Sequence, residues 1–335
     1  MRALIFERGM LRLEKEYPEP APGEGEALIR VSQVGICNTD VEIVRGYLGF
    51  EGVIGHEFVG VVEQVSGERE VDMQARERFT GRRVVGEINA ACYRADCGYC
   101  QQGMASHCPR RTTLGIGERD GAFADFLTLP VQNLHLVPDE VSDEEAVFVE
   151  PLAANFEILE QMHVRPTDRV VVLGDGKMGQ LAAQVLALNG CKVMMLGRHE
   201  EKLALARQQG ILTELVGVEG EHAEPRGGER VDLVVECTGS EDGLEMALRL
   251  VRPRGTVILK STVAARSSLH LAPIVIDEIR VQGSRCGPFA PALRALSQRR
   301  VDVRSLISDR YTLDEALAAF ERAVQPGVLK VLVRI

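Results

Sequence analysis

The sequence predicts an α/β protein of two domains, a β-rich one followed by a doubly wound parallel sheet. Three observations carry that expectation. The chain of 335 residues is longer than the roughly 250–300 at which a single core stops growing. Up to about residue 150, short apolar runs are broken by glycine, proline and charge. Beyond Pro166, strand-like runs alternate with helix-like patterns, the signature of parallel βαβ units.

In the first part, the runs Ala27–Val34, Val59–Val65 and Arg83–Glu87 predict strands of a small barrel or sandwich. The charged stretch Ser66–Arg83 between them reads as an exposed hairpin or loop. In the second part, Arg169–Leu173, Lys192–Leu196, Val231–Cys237 and Thr256–Leu259 are apolar strand candidates. Met178–Leu188, Glu200–Gln209 and Glu241–Val251 read as the helices between them, and the polar stretch Gly217–Arg230 as a loop. Two further helices are expected at Ala290–Gln298 and Leu313–Val324, then an apolar strand, Lys330–Ile335.

Composition narrows the function classes. A net charge of −10 argues against a nucleic-acid partner, which would favour a basic face. No apolar run reaches the roughly 18 residues needed to cross a bilayer, and the charged first residues do not read as a signal peptide. Four of the eight cysteines, Cys92, Cys97, Cys100 and Cys108, crowd together, a pattern of metal ligation more than of bridging. A cytoplasmic protein is the expectation. Cys191, Cys237 and Cys286 lie in or near apolar strands and are expected to pack in the core.

Gly174-Asp175-Gly176-Lys177-Met178-Gly179 has the form G-x-G-x-x-G and sits between a strand-like run and a helix. In that context Gly174 permits the tight turn, Gly176 lets backbone approach a pyrophosphate, and Gly179 permits close helix–sheet packing. Lys177 and Met178 open the helix, whose free N–H groups face the phosphates. Where the second strand ends, an NAD site usually carries an acid that holds the ribose hydroxyls. This chain has Gly197, read as leaving space, then Arg198, whose guanidinium can pair with a 2′-phosphate. NADP(H) is therefore favoured over NAD(H), although Arg198 also fits a solvated surface.

Cys37-Asn38-Thr39-Asp40, Gly55-His56-Glu57 and Glu150-Pro151 supply thiolate, imidazole and carboxylate, a set that suits catalytic zinc with one open position. Singly, each fits a bland reading: a buried thiol, a core histidine, an exposed acid. Zinc would stabilise negative charge on an alcohol oxygen while hydride leaves the adjacent carbon. Thr39 is placed to carry the alcohol proton outward.

Taken together, G-I-C-N-T-D, G-H-E-F-V-G, the four-cysteine cluster, V-E-P-L-A and G-D-G-K-M-G resemble the zinc-containing medium-chain dehydrogenase/reductase family, in order and spacing over nearly the whole chain. The resemblance implies a GroES-like catalytic domain over 1–152, a Rossmann domain over 153–289 and a return to the catalytic domain over 290–335. It implies Cys37, His56 and Glu150 as ligands, with Glu57 an alternative, and a glutamate of the kind found in sorbitol and glucose dehydrogenases. Glu42 stands where many relatives place the histidine that ends the proton relay, and Ile43 where polyol dehydrogenases often have tyrosine. Arg285 resembles a substrate-binding arginine and could equally bind cofactor phosphate; Thr238 joins the cofactor set. Cys97, Cys100 and Cys108 match the structural zinc lobe. The position expected for the first ligand holds Arg94, and Cys92 lies two residues earlier, a gap still compatible with four thiolates.

These readings converge on an enzyme with two zinc ions per chain. It would move hydride between a secondary alcohol, polyol or sugar hydroxyl and NADP(H) or NAD(H), as a homodimer or homotetramer. The low aromatic content mildly favours a small polar substrate. An L-threonine dehydrogenase-like activity is the alternative within this chemistry. A non-catalytic nicotinamide sensor would bind cofactor without zinc at Cys37, and a zinc-free quinone reductase should lack the ligand set.

Overall fold

The computed structural model describes residues 1–217, 229–262 and 269–335. The expected loop Gly217–Arg230 lies outside the described residues, apart from Gly217, Glu229 and Arg230. The chain divides into two compact units, Met1–Glu150 with Leu306–Ile335, and Pro151–Ser305. Residues 290–305, counted with the return on sequence grounds, thus fall in the second unit.

The first unit is built on a seven-stranded sheet. Its long strand Glu26–Gly35 buries Ala27, Leu28, Ile29, Val31 and Val34 and exposes Arg30. That strand pairs antiparallel with Glu57–Val65 on one side and with Lys330–Arg334 on the other, with Phe126–Pro130 also joined to it. Register shifts at Leu28/Ile29 and Val31/Gln33 bend it, as bulges do in small closed sheets. Lys330–Arg334 runs parallel to Ile307–Thr312 on its far edge. The C-terminal segment therefore supplies one interior strand and one edge strand to a sheet begun at residue 26.

The stretch expected as a hairpin or loop, Ser66–Arg83, instead holds the α-helix Glu70–Phe79. Asp72 caps it, accepting the Arg69 N–H at 3.2 Å and its guanidinium at 2.8 and 2.9 Å. Asp72, Ala75 and Phe79 are the residues it buries. Their three- and four-residue spacing is that of one helix face, hidden in the sequence by the charges around it.

The second unit is a six-stranded parallel sheet. In spatial order its strands are Leu212–Leu215, Lys192–Gly197, Arg169–Leu173, Val231–Glu236, Val251–Leu259 and Arg280–Gly283. The chain runs outward from a central first strand, reverses, and fills the other side, which puts the switch point beside Arg169–Leu173. The apolar runs are nearly continuous because both faces are covered. Val170 and Val172 pack into one core with Val193, Met195, Leu233 and Val235, while Val171 and Leu173 enter another with Leu196, Val234 and Val257. Helices Lys177–Ala187, Glu200–Gln208 and Gly243–Leu250 lie close to the expected spans.

Candidate metal centres and dinucleotide site

Cys37 is the N-cap of the helix Asn38–Val44, directly after the long strand of the first sheet. Asp40, at the third position of that helix, accepts the Cys37 N–H through Oδ2 at 2.8 Å. Its Oδ1 lies 3.0 Å from Nδ1 of His56, and among the described residues neither atom has another hydrogen-bond partner. Both residues are buried. A histidine turned to a carboxylate in this way presents its other nitrogen as a ligand of fixed tautomer and raised basicity. Burial pushes the His56 imidazolium toward deprotonation, but the charges of Asp40 and then Cys37 outweigh it and raise its pKa well above 6.5. The pocket calls for positive charge.

Glu57 opens the next strand and is fully buried. One of its oxygens is ion-paired with the buried Lys330 and the other, Oε1, has no hydrogen-bond partner among the described residues. The Lys330 ammonium also lies 5.5 Å from the centroid of the Phe148 ring. Ligand atoms of Cys37, His56 and Glu57 come within 4.8 Å of one another. A thiol, an imidazole basic by design and an orphaned carboxylate oxygen fit a bound zinc. Thr39 Oγ1 is 3.8 Å from the Cys37 sulfur. Glu150, in the first turn of the helix Val149–Gln161, is not among the grouped ligand atoms. Glu42 faces Arg45, 2.8 Å away on the same helix.

Cys92, Cys97, Cys100 and Cys108 converge in a second cluster. Their sulfurs are 3.8 Å apart for Cys92–Cys100 and Cys97–Cys108, and 3.5 Å for Cys92–Cys108. Four sulfurs at about 2.3 Å around a tetrahedral zinc stand about 3.8 Å from one another, so the cage is already the size of the ion. The long gap after Cys92 is taken up by Tyr93, whose φ is 46°, and by a turn in which Cys97 N–H donates to the Arg94 carbonyl at 3.1 Å. The Cys100 backbone amide helps pull the Cys97 thiol down to about 6, while burial pushes Cys100 up to about 12. Sulfur contacts from Cys92 and Cys97 raise the pKa of the Arg110 guanidinium. His107 Nδ1 turns to Ser106 at 3.0 Å.

In the second unit each glycine of the loop has a separate demand. Gly174 has φ 115°, and a Cβ there would meet the Cys237 carbonyl at 2.8 Å. At Gly179 a Cβ would lie 2.0 Å from the Gly174 carbonyl oxygen. Among the described residues Gly176 has nothing within 4 Å of a Cβ, so steric crowding by the protein does not explain it. Lys177 and Met178 begin the helix. Thr238 donates its hydroxyl to the buried Glu236 at 2.6 Å, and Arg285 is exposed, its carbonyl 3.3 Å from Lys260 Nζ. One expectation is corrected: Gly197 does not leave open space. A Cβ there would sit 2.5 Å from Cβ and Oδ2 of Asp175, whose side chain fills the volume. Arg198 is exposed beside it.

Sequence reasoning gave no role to Asp40, Lys330, Asp175 or Glu236. The Asp40 signal was present, as an acid three residues after a helix-capping cysteine. Lys330 showed only as a charge opening an apolar strand.

Known proteins resemble this chain over most of its length. Residues 23–139 match the alcohol dehydrogenase GroES-like domain and 178–299 the zinc-binding dehydrogenase model. Sorbitol dehydrogenase of Halalkalibacterium halodurans is 29% identical over 330 residues, covering 95% of this chain and 94% of the relative. A zinc-binding dehydrogenase of Sinorhizobium meliloti, solved with NADP, superposes with a TM-score of 0.87 at 28% identity, over 100% of this chain and 99% of that one. A structure from Escherichia coli described as a short chain alcohol dehydrogenase, complexed with NADH, gives 0.89 at 26% identity with the same coverage.

Proposed function

Since the chain belongs to the zinc-containing medium-chain dehydrogenase/reductase family, we propose that it interconverts a secondary alcohol or polyol and its carbonyl partner, exchanging hydride with a nicotinamide dinucleotide. The observation that carries this is the buried group of Cys37, His56 and Glu57 with Asp40 behind it, on a chain that also carries a Gly-rich loop open at Gly176. When bound, zinc supplies Lewis acidity toward an alcohol oxygen and the dinucleotide supplies the hydride acceptor. Cys37 and His56 would hold the metal, with Glu57 Oε1 or Glu150 as the carboxylate. Asp40 sets the direction of the His56 ring. Thr39, next to Cys37, is the first carrier for the alcohol proton. The N–H groups at the start of Lys177–Ala187 receive the pyrophosphate.

Finer readings belong to the same proposal. The spacing of the four cysteine sulfurs supports a second, structural zinc, hence two per chain. NADP(H) is the favoured coenzyme, supported by the exposed Arg198 at the end of the second strand, with a preference of about tenfold to a hundredfold in catalytic efficiency. Arg285 faces substrate or cofactor phosphate, and Thr238 lies with the cofactor residues. The four cysteines arranged for metal support a cytoplasmic location. Self-association into a homodimer or homotetramer is supported by the exposed edge strand Arg280–Gly283 and the apolar side chains of Leu271, Val275, Ile276 and Val281.

The test is metal content with turnover. The wild-type protein should carry close to two zinc ions per chain, and Cys37→Ser should lose one of them and nearly all dehydrogenase activity while keeping dinucleotide binding. Near wild-type turnover in Cys37→Ser would remove the catalytic assignment.

A further inference from the structure

Asp175 stands inside the glycine-rich loop, where a carboxylate is poorly suited to greet a pyrophosphate. Its side chain is turned away from that task and is nearly buried. Oδ2 accepts the backbone N–H groups of both Arg198 and His199 at 2.7 Å. The His199 ring turns back to the same carboxylate, with Nδ1 3.0 Å from Oδ1 and 3.1 Å from Oδ2. The loop is also tied to the strand end through Gly174 N–H, which donates to the Leu196 carbonyl at 2.8 Å. Loop and strand end thus form one hydrogen-bonded piece, and Gly197 is the residue that admits the carboxylate between them.

This arrangement holds the His199 ring and the Arg198 backbone at the place where a dinucleotide presents its adenosine ribose. Arg198 is exposed and the His199 side chain is 43% exposed. With Nδ1 committed to Asp175, Nε2 is the ring nitrogen that points away from the carboxylate. Among the described residues it has no hydrogen-bond partner.

We propose that His199, held by Asp175, is a specificity-determining residue that works with Arg198 as the second arm of a clamp for the 2′-phosphate of NADP(H). Asp175 is the positioning residue: it orients the imidazole and pins the backbone from which both arms project. The ring turns one nitrogen to Asp175 and leaves the other for a phosphate oxygen. The proposal rests on the NADP(H) reading above and names the residues that would carry it.

The experiment measures binding rather than turnover, by calorimetry with adenosine 2′,5′-bisphosphate and with 5′-AMP on the zinc-loaded protein. Wild type should bind the bisphosphate at least about tenfold more tightly. His199→Ala and Arg198→Ala should each weaken bisphosphate binding about tenfold and leave 5′-AMP binding within about twofold. Asp175→Asn should weaken the bisphosphate selectively as well, and His199→Arg should restore it, which a merely structural role would not produce. If Arg198→Ala loses the discrimination and His199→Ala keeps it, the clamp is wrong while the NADP(H) reading stands. If wild type does not discriminate between the two nucleotides, the NADP(H) reading itself fails and the clamp with it.

Discussion

Asp40, Glu57, Asp175 and Glu236 are all buried carboxylates, and each meets its charge differently. Asp175 takes two backbone N–H groups and an imidazole, and Glu236 takes hydroxyls from Thr238 and Ser261. Asp40 serves Cys37 and His56. If that is its work, Asp40→Asn should cut zinc retention at the first cluster by about tenfold to a hundredfold, the scale for removing the partner of a metal-bound histidine. Dialysis against a graded chelator followed by metal analysis measures this, and unchanged retention would relieve Asp40 of the role. Glu57 depends on one lysine. Lys330→Met leaves its charge buried and uncompensated, a loss of about 3–5 kcal/mol, whereas Glu57→Gln with Lys330→Met should recover much of the stability. Denaturant midpoints of the three proteins decide it; a single variant as stable as wild type would mean that water already answers Glu57. Cys37 and His56 stood out in the sequence as a thiol and an imidazole in short motifs, with Glu150 favoured as the acid and Glu57, which the structure groups with them, as its alternative. The lysine that completes the group did not stand out, because 273 positions separate the partners.

At the scale of elements, legibility followed the amount of apolar surface each one buries. The inner strands of the parallel sheet carry apolar side chains to both faces, so their runs stood out in the sequence. The helix Glu70–Phe79 carries three buried residues among charged ones and was read as a loop. Its fold should nonetheless depend on those few. Phe79 is buried, with the Arg78 guanidinium 4.9 Å from the centre of its ring. Phe79→Ala should cost about 3–5 kcal/mol, while Met73→Ala, on the exposed side, should cost within about 0.5 kcal/mol. Thermal or urea unfolding of the two variants tests the assignment, and equal losses would show that the helix has no preferred face. The four-residue gap before Cys97 was legible as an irregularity, but its solution was not. A tyrosine in the left-handed region absorbs the extra residue, a conformation that residue type does not announce.

For the whole molecule, the edge of the second sheet is the feature least settled within one chain. The strand Arg280–Gly283 is exposed along its length, and Val275 and Ile276 are 76% and 77% exposed nearby. Among the described residues this edge has no further strand, and such an edge beside an apolar patch invites pairing with another chain. Light scattering should therefore find a dimer or tetramer, and Val275→Glu with Ile276→Glu should shift it toward monomer. A monomeric wild type would reject the proposed self-association. The two-unit division itself was visible as a change of pattern near Pro166. The interior position of the final strand was not, because periodicity reports which face of a strand is buried and says nothing of which neighbours it takes.

That interior position has a consequence for the order of events on the ribosome. Glu26–Gly35 and Glu57–Val65 are made early, yet Lys330–Arg334, which pairs with the first of them, emerges only after the whole of Pro151–Ser305. At about 5–20 residues per second, Glu57 waits roughly a quarter of a minute to a minute for Lys330. During that interval the parallel sheet has all of its own strands and is free to form, while the older N-terminal half remains an open sheet with an unanswered acid. The nascent chain thus holds every strand of the parallel sheet before it holds the strand that completes its first sheet, although that first sheet was begun earlier.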